Sequence, residues 1–168
     1  MIPVTLIMAV TVDGKIAKDK SQLANWTSQE DKKLFVEVSR DFGVIMMGEN
    51  TFKTFPKPLP GRLNVVFSPD GGENIEGLLK WVKGEPEIIL AELEQLGYTK
   101  ALLGGGSFLN TLFLKKKLIN EIILTVEPKI FGHGLSLFTE ICETNLNLLD
   151  CQKLNENTLM LKYKVIYS

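Results

Sequence analysis

The apolar runs VTLIMAVTV, VIMM, LNVVF, KALL and EIILTVE are continuous rather than alternating, and turn-forming residues bound each of them. A strand that alternates apolar and polar positions has one wet face, whereas a strand apolar at every position is covered on both. Strands of the second kind belong to a parallel sheet between layers of helix, and helical patterns do separate these runs. The clearest begins at Thr27 with Glu30 three residues on, a capping box, and carries Leu34, Phe35, Val38 and Phe42 on one face. Another runs from Pro86, suited to a first helical position, to Leu96, where Gly97 can close it. A third spans Ser107 to about Leu114. Near the end, LNLLDCQKL and TLMLKYKVIY flank NEN as a hairpin. The expected fold is therefore α/β with three layers, its central sheet mostly parallel and closed by an antiparallel C-terminal edge hairpin.

With 168 residues, 45% of them hydrophobic, the chain can build one sizeable core, so a single domain over 1–168 is expected. Nineteen basic against 20 acidic residues leave no excess for tracking a phosphate backbone, and Lys115, Lys116 and Lys117 read as a solvated helix end, not a nucleic-acid site. Cys142 and Cys151 match neither a metal-binding spacing nor a disulfide framework, and His133 cannot hold a metal alone, so no metal is expected. The apolar start has no basic leader or cleavage site and stops at Asp13, well short of a membrane span, which points to a cytoplasmic protein with no membrane partner. Arg40 and Arg62 are the only arginines, so any planar fork for a phosphate or carboxylate must come from them.

The stretch LLGGGSFLNTLF places Gly104, Gly105 and Gly106 between KALL and a helix. Ligands of open parallel sheets sit at the carboxyl ends of strands, and the helix behind the glycines offers unpaired N–H groups and a positive dipole end, both suited to a diphosphate. A tight turn needing backbone angles that only glycine tolerates would explain the same residues. The spacing is neither a dinucleotide fingerprint nor a P-loop.

Taken together and in order, MAVTVDGKIA, VIMMGENTF, PLPGRLNVVFS, LLGGGSFLNTLF and NEIILTVEPKIFGHGLSLF resemble the dihydrofolate-reductase superfamily, and most of all the RibD C-terminal reductase domain of riboflavin biosynthesis. The resemblance implies a nicotinamide cofactor, NADPH, held by Gly104, Gly105, Gly106, Ser107 and Phe108 and by Gly48, Thr51 and Ser68. It also puts Ala9, Lys15, Ile16 and Trp26 among the cofactor contacts. Read by themselves, Gly48 ends a strand, Thr51 and Ser68 suit caps, Lys15 follows an ordinary Asp-Gly turn and Trp26 suits a core. Where dihydrofolate reductases commonly hold the 2′-phosphate with an arginine, this chain has Glu49, whose charge repels a phosphate and opens the way to NADH.

Two substrates follow from the resemblance. The riboflavin branch reduces a phosphoribosylamino-pyrimidine to its ribitylamino form, and similarity to it at VDGKIA, WTSQED and Arg40 makes Lys15 and Arg40 candidates for binding phosphate. Arg40 equally suits a cation at a helix C-terminus. The chain departs from that branch at Leu103, where an acid is usual, and at FKTFPKPLPGR. Similarity to dihydrofolate reductase aligns Asp31 with the catalytic carboxylate and Thr125 with its support. Phe35 then lines the pocket and Arg62 grips the folate tail. A carboxylate in an apolar pocket is held protonated at higher pH and can handle protons near neutrality, although an acid in a first helical turn also simply suits the dipole. The expected protein is an NAD(P)H-dependent reductase of a small pyrimidine or pteridine, with 5-amino-6-(5-phosphoribosylamino)uracil placed ahead of dihydrofolate. A non-catalytic nucleotide-binding or dimerisation domain is the remaining reading, and the resemblance suggests a homodimer.

Overall fold

The structure, a computed structural model, describes residues 1–22 and 25–167. The chain runs through β1 (Val4–Thr11), β2 (Lys15–Ala17), α1 (Gln29–Phe42), β3 (Val44–Gly48), the single turn α2 (Glu49–Phe52), β4 (Leu63–Phe67) and β5 (Leu79–Val82). It continues as α3 (Pro86–Gln95), β6 (Ala101–Leu103), α4 (Ser107–Lys115), β7 (Ile119–Glu127), β8 (Leu135–Ser136), β9 (Asn145–Lys153) and β10 (Leu159–Ile166). One eight-stranded sheet has the order β5-β4-β3-β6-β1-β7-β10-β9, and β2 pairs with β8 in a separate two-stranded ribbon. Neighbours from β5 to β7 are parallel, and β10 is antiparallel to both β7 and β9. The expected α/β fold with its antiparallel edge is the observed one.

Burial explains the unbroken apolar runs. Met46 and Met47, neighbours in β3, are both fully buried, one on each face of the sheet. On one face Met46, Leu6 and Leu103 pack with Leu90, Leu93, Leu109 and Phe113 of α3 and α4. On the other, Met47, Ile45 and Leu102 meet Leu34, Phe35, Val38 and Phe42, the apolar stripe of α1. Each side chain of this kind contributes roughly 1.5–3 kcal/mol on burial.

The start of α1 differs from the sequence reading by one residue. Ser28, not Thr27, is the N-cap: its Oγ accepts the Asp31 amide at 3.2 Å. Thr27 is thereby freed to turn its hydroxyl to the Asp31 side chain. Gly43 ends the helix with φ +73°, a left-handed turn that suits glycine, and Arg40 lies in the last turn. Elements too short to show a period, α2, β5 and the β2–β8 ribbon, escaped the sequence reading. No helix among the described residues is long and apolar enough to cross a membrane.

Candidate active site

A cavity of about 1320 Å³ opens along the carboxyl ends of the parallel strands. A typical single-ligand pocket holds about 300–1,000 Å³, so this one has room for two bound molecules. Sheet order sets its long direction. Ala9 on β1 lies toward one side, with Ile16, Trp26, Asp31 and Phe35 around it. Ser68 and Lys83, just past β4 and β5, lie toward the other. Gly48, Thr51, Gly104, Gly106, Ser107 and Phe108 line the stretch between them.

The glycine turn is tied to β3 by two backbone bonds: Gly104 N–H donates to Met46 at 2.8 Å, and Gly48 N–H donates to Gly105 at 2.8 Å. Gly106 caps α4 without a side-chain bond, leaving first-turn N–H groups free of a side-chain acceptor and beside the cavity. A Cβ on Gly104 would lie 3.0 Å from Ile45 Cδ1, and one on Gly106 3.2 Å from Thr51 Oγ1. Gly105 does not line the cavity; it has φ +92°, and a Cβ there would sit 2.9 Å from Met8 Sδ. At Gly105, then, the group pressed against the backbone is the protein's own methionine.

Asp31 is brought to the cavity by the first turn of α1, and the register of β7 pairs Thr125 with Ala9, which lines it. Thr125 is itself buried and does not line the cavity. Burial pushes the Asp31 carboxyl above the ordinary aspartate range; hydrogen bonding by Thr125 and Thr27 opposes this, while the charge of Glu127 adds to it and that of Lys32 offsets it. Phe35 lines the same end and stacks on Phe55 at 6.2 Å between centroids. Trp26 fixes the neighbouring loop, its Nε1–H donating to the Ile16 carbonyl at 3.2 Å and its ring meeting Phe131 edge-on at 5.0 Å.

The family model described as the RibD C-terminal domain matches residues 3–160. The chain belongs to that family. This RibD C-terminal domain is 27% identical over 154 residues to YwjB, an uncharacterised protein of Bacillus subtilis, covering 85% of the chain and 87% of the relative. Over 68 residues it is 40% identical to the type 9 dihydrofolate reductase of Escherichia coli, a match of 40% of this chain and 37% of that one. Among solved structures, Acinetobacter baumannii RibD superposes with a TM-score of 0.83 at 19% identity, over 99% of this chain and 59% of that one. Enterococcus faecalis dihydrofolate reductase, complexed with NADP(H), superposes with a TM-score of 0.71 at 23% identity, over 97% and 96% of the two chains.

Three residues singled out in the sequence lie apart from the cavity of this RibD C-terminal domain. Lys15 Nζ donates to Ser136 Oγ at 3.2 Å across the β2–β8 ribbon. Arg40 is exposed at the end of α1. Arg62 is buried behind that helix, its Nη1 donating to Ser39 Oγ at 2.9 Å and to the Val36 carbonyl at 3.2 Å. Burial, with Arg40 nearby, depresses its pKa. Glu49 does line the cavity, but its carboxylate is engaged: Oε2 accepts from Ser68 at 2.6 Å and Oε1 pairs with Lys53 at 2.5 Å, which together lower its pKa.

Glu127 was missed. It is 2% exposed at the end of β7, where Oε1 accepts both the amide and hydroxyl of Ser28 at 2.9 and 2.7 Å. The signal available in the sequence was an acid two residues after Thr125 in an otherwise apolar run, hence on the same strand face as Thr125.

Proposed function

We propose that the chain is a nicotinamide-dependent reductase of a pterin-like heterocycle, of the dihydrofolate type. One observation carries the reading: Asp31 is a desolvated carboxyl facing an apolar cavity, backed by Thr125 and Thr27. The cavity fits a dinucleotide as well as a substrate. Its volume admits two ligands, and the uncapped first turn of α4 presents N–H groups to a diphosphate. Gly104, Gly106, Ser107 and Thr51 would hold the centre of the cofactor, with Ser68 and Lys83 toward its adenosine end.

When bound, the reduced nicotinamide supplies a hydride to a ring carbon. The chain's own residues manage the proton that balances it. Reduction of a C=N bond adds hydride to carbon and a proton to the adjacent nitrogen. Asp31, kept protonated to higher pH by burial, hydrogen-bonds the substrate ring and favours the protonated nitrogen. Phe35, Phe55 and Leu59 give that ring an apolar wall and exclude water from it.

Riboflavin-type reduction of a phosphoribosylamino-pyrimidine is the second reading, favoured by the family match over residues 3–160. A phosphate would then meet Lys20 or Lys32, the lysines nearest Asp31 in the cavity lining by sequence. Cofactor oxidation is to be followed with each substrate in wild type and Asp31→Asn. Turnover of dihydrofolate that depends on Asp31 supports the proposal; turnover of the pyrimidine alone, indifferent to Asp31, overturns it. A homodimer belongs to the same reading and is tested by light scattering.

A further inference from the structure

Glu127 is a buried carboxylate that the reduction as described does not use. No lysine or arginine lies within ion-pair distance of it among the described residues. Lys129, two residues on, sends its amine instead to the Trp26 carbonyl at 2.7 Å. Its partners are hydroxyls and an amide: Ser28 N–H and Oγ on Oε1, and Thr158 Oγ1 at 3.3 Å on Oε2. A carboxylate removed from water with no cation beside it is costly, and hydrogen bonds to its oxygens offset that cost.

What it holds is the entry to α1. Ser28 uses one hydroxyl twice, donating to Glu127 and accepting from the Asp31 amide at 3.2 Å. Chain direction at the first turn of the helix is thus pinned to the end of β7, the strand that carries Thr125. From this we infer that Glu127 is a positioning residue of the reductase site, clamping Ser28 so that Asp31 is held against Thr125. The inference rests on the reading of Asp31 as the proton-handling group.

Placement also brings a charge. The charged groups acting on Asp31 are Glu127 from β7 and Lys32 from its own helix, and the groups facing it otherwise are the hydroxyls of Thr27 and Thr125. Glu30, in the same first turn, is drawn off to Asn155 at 3.1 Å. A second carboxylate disfavours ionisation of the first, so Glu127 widens the pH range over which Asp31 keeps its proton. A cavity of about 400 Å³, lined by Ser28, Glu127, Lys129 and Thr158 and sharing Trp26 and Thr27 with the larger one, borders this cluster.

The test is a carbon-13 carboxyl titration of Asp31 in wild type, Glu127→Gln and Glu127→Ala, with the pH profile of kcat/KM for dihydrofolate as the second readout. Glutamine keeps an acceptor for Ser28 but not the charge, so the Asp31 midpoint and the falling limb of the profile should both move down by roughly half a pH unit or more, with turnover retained at low pH. Alanine loses the clamp as well, and kcat should fall about tenfold at every pH, as expected for a misplaced reacting group. Wild-type kcat in a folded Glu127→Ala overturns the inference, and an Asp31 midpoint unchanged in Glu127→Gln overturns its charge coupling to Asp31. If Glu127→Ala does not fold, Ser28→Ala, which removes the clamped hydroxyl, decides through the same fall in kcat. If the wild type turns over no dihydrofolate, the proposed function fails, and the titration still decides the role of Glu127.

Discussion

The amide of Gly48 at the end of β3 donates to the carbonyl of Gly105 at 2.8 Å, so the glycine turn is tied to the strand end from which the single turn α2 starts. That bond fixes where Gly106 and Ser107 meet the cavity, and it depends on a backbone angle at Gly105 that only glycine adopts freely.

Gly105→Ala should therefore act first on stability. The added methyl group must displace Met8 and occupy φ +92°, a combination that costs about 1–3 kcal/mol. At this chain length each kcal/mol lowers Tm by about 2–4 °C. Calorimetry should show the lower Tm with or without nicotinamide cofactor. A wild-type Tm with weakened cofactor binding would mean that the methyl group faces the ligand instead.

Cofactor choice turns on the engaged carboxylate of Glu49. It is held by Lys53 and Ser68 at the end of the cavity proposed for adenosine, so it places a negative charge there without a free oxygen reserved for a ribose hydroxyl. Replacing it by arginine reverses the charge and leaves Lys53 unpaired, and the ratio of kcat/KM for NADPH over NADH should rise about tenfold. An unchanged ratio would place the 2′-position elsewhere.

Much of this molecule was legible in its sequence because the burial pattern of a parallel sheet is written continuously. VIMM reads as a strand covered on both faces, and Met46 and Met47 are buried one on each face. The pairing of Asp31 with Thr125 was legible through the family resemblance, and the structure brings the two together beside the cavity. The site was illegible where the partner lies far along the chain. Nothing near Ser28 shows that Glu127, 99 residues away, takes its hydroxyl and so moves the cap off Thr27. The burial of Arg62 was hidden for the same reason, because its acceptors Val36 and Ser39 come from another element.

The two arginines should separate in a stability measurement. Arg62 sends both of its hydrogen bonds from Nη1 in a buried setting, where a lysine would place a more strongly hydrated ammonium without the planar guanidinium that fills the site, so Arg62→Lys should cost about 1–3 kcal/mol in urea unfolding. Arg40 is exposed with no ion pair among the described residues, and Arg40→Lys, which keeps the charge at the helix end, should change little. Equal midpoints for the two variants would contradict the burial of Arg62.

Asp31→Asn should raise stability while it removes activity. The folded protein holds the Asp31 carboxyl above its ordinary value of about 3.9, so between the two values the native state binds more protons than the unfolded one. Stability is then lost as pH rises through that window, so at neutral pH the wild type carries the cost of desolvating that group. Asparagine has nearly the same shape and no charge. Its Tm should exceed that of the wild type at pH 7, and the gap should close below pH 4, where the carboxyl is neutral in both states. Over the same range, dihydrofolate turnover should fall by roughly 10²- to 10⁴-fold, the usual contribution of a positioned acid or base. A residue that merely suited a helix dipole would behave oppositely, since deleting a favourable first-turn charge lowers Tm and leaves turnover alone. The paired measurement of Tm and kcat against pH in one variant thus separates a proton-handling carboxyl from a capping one.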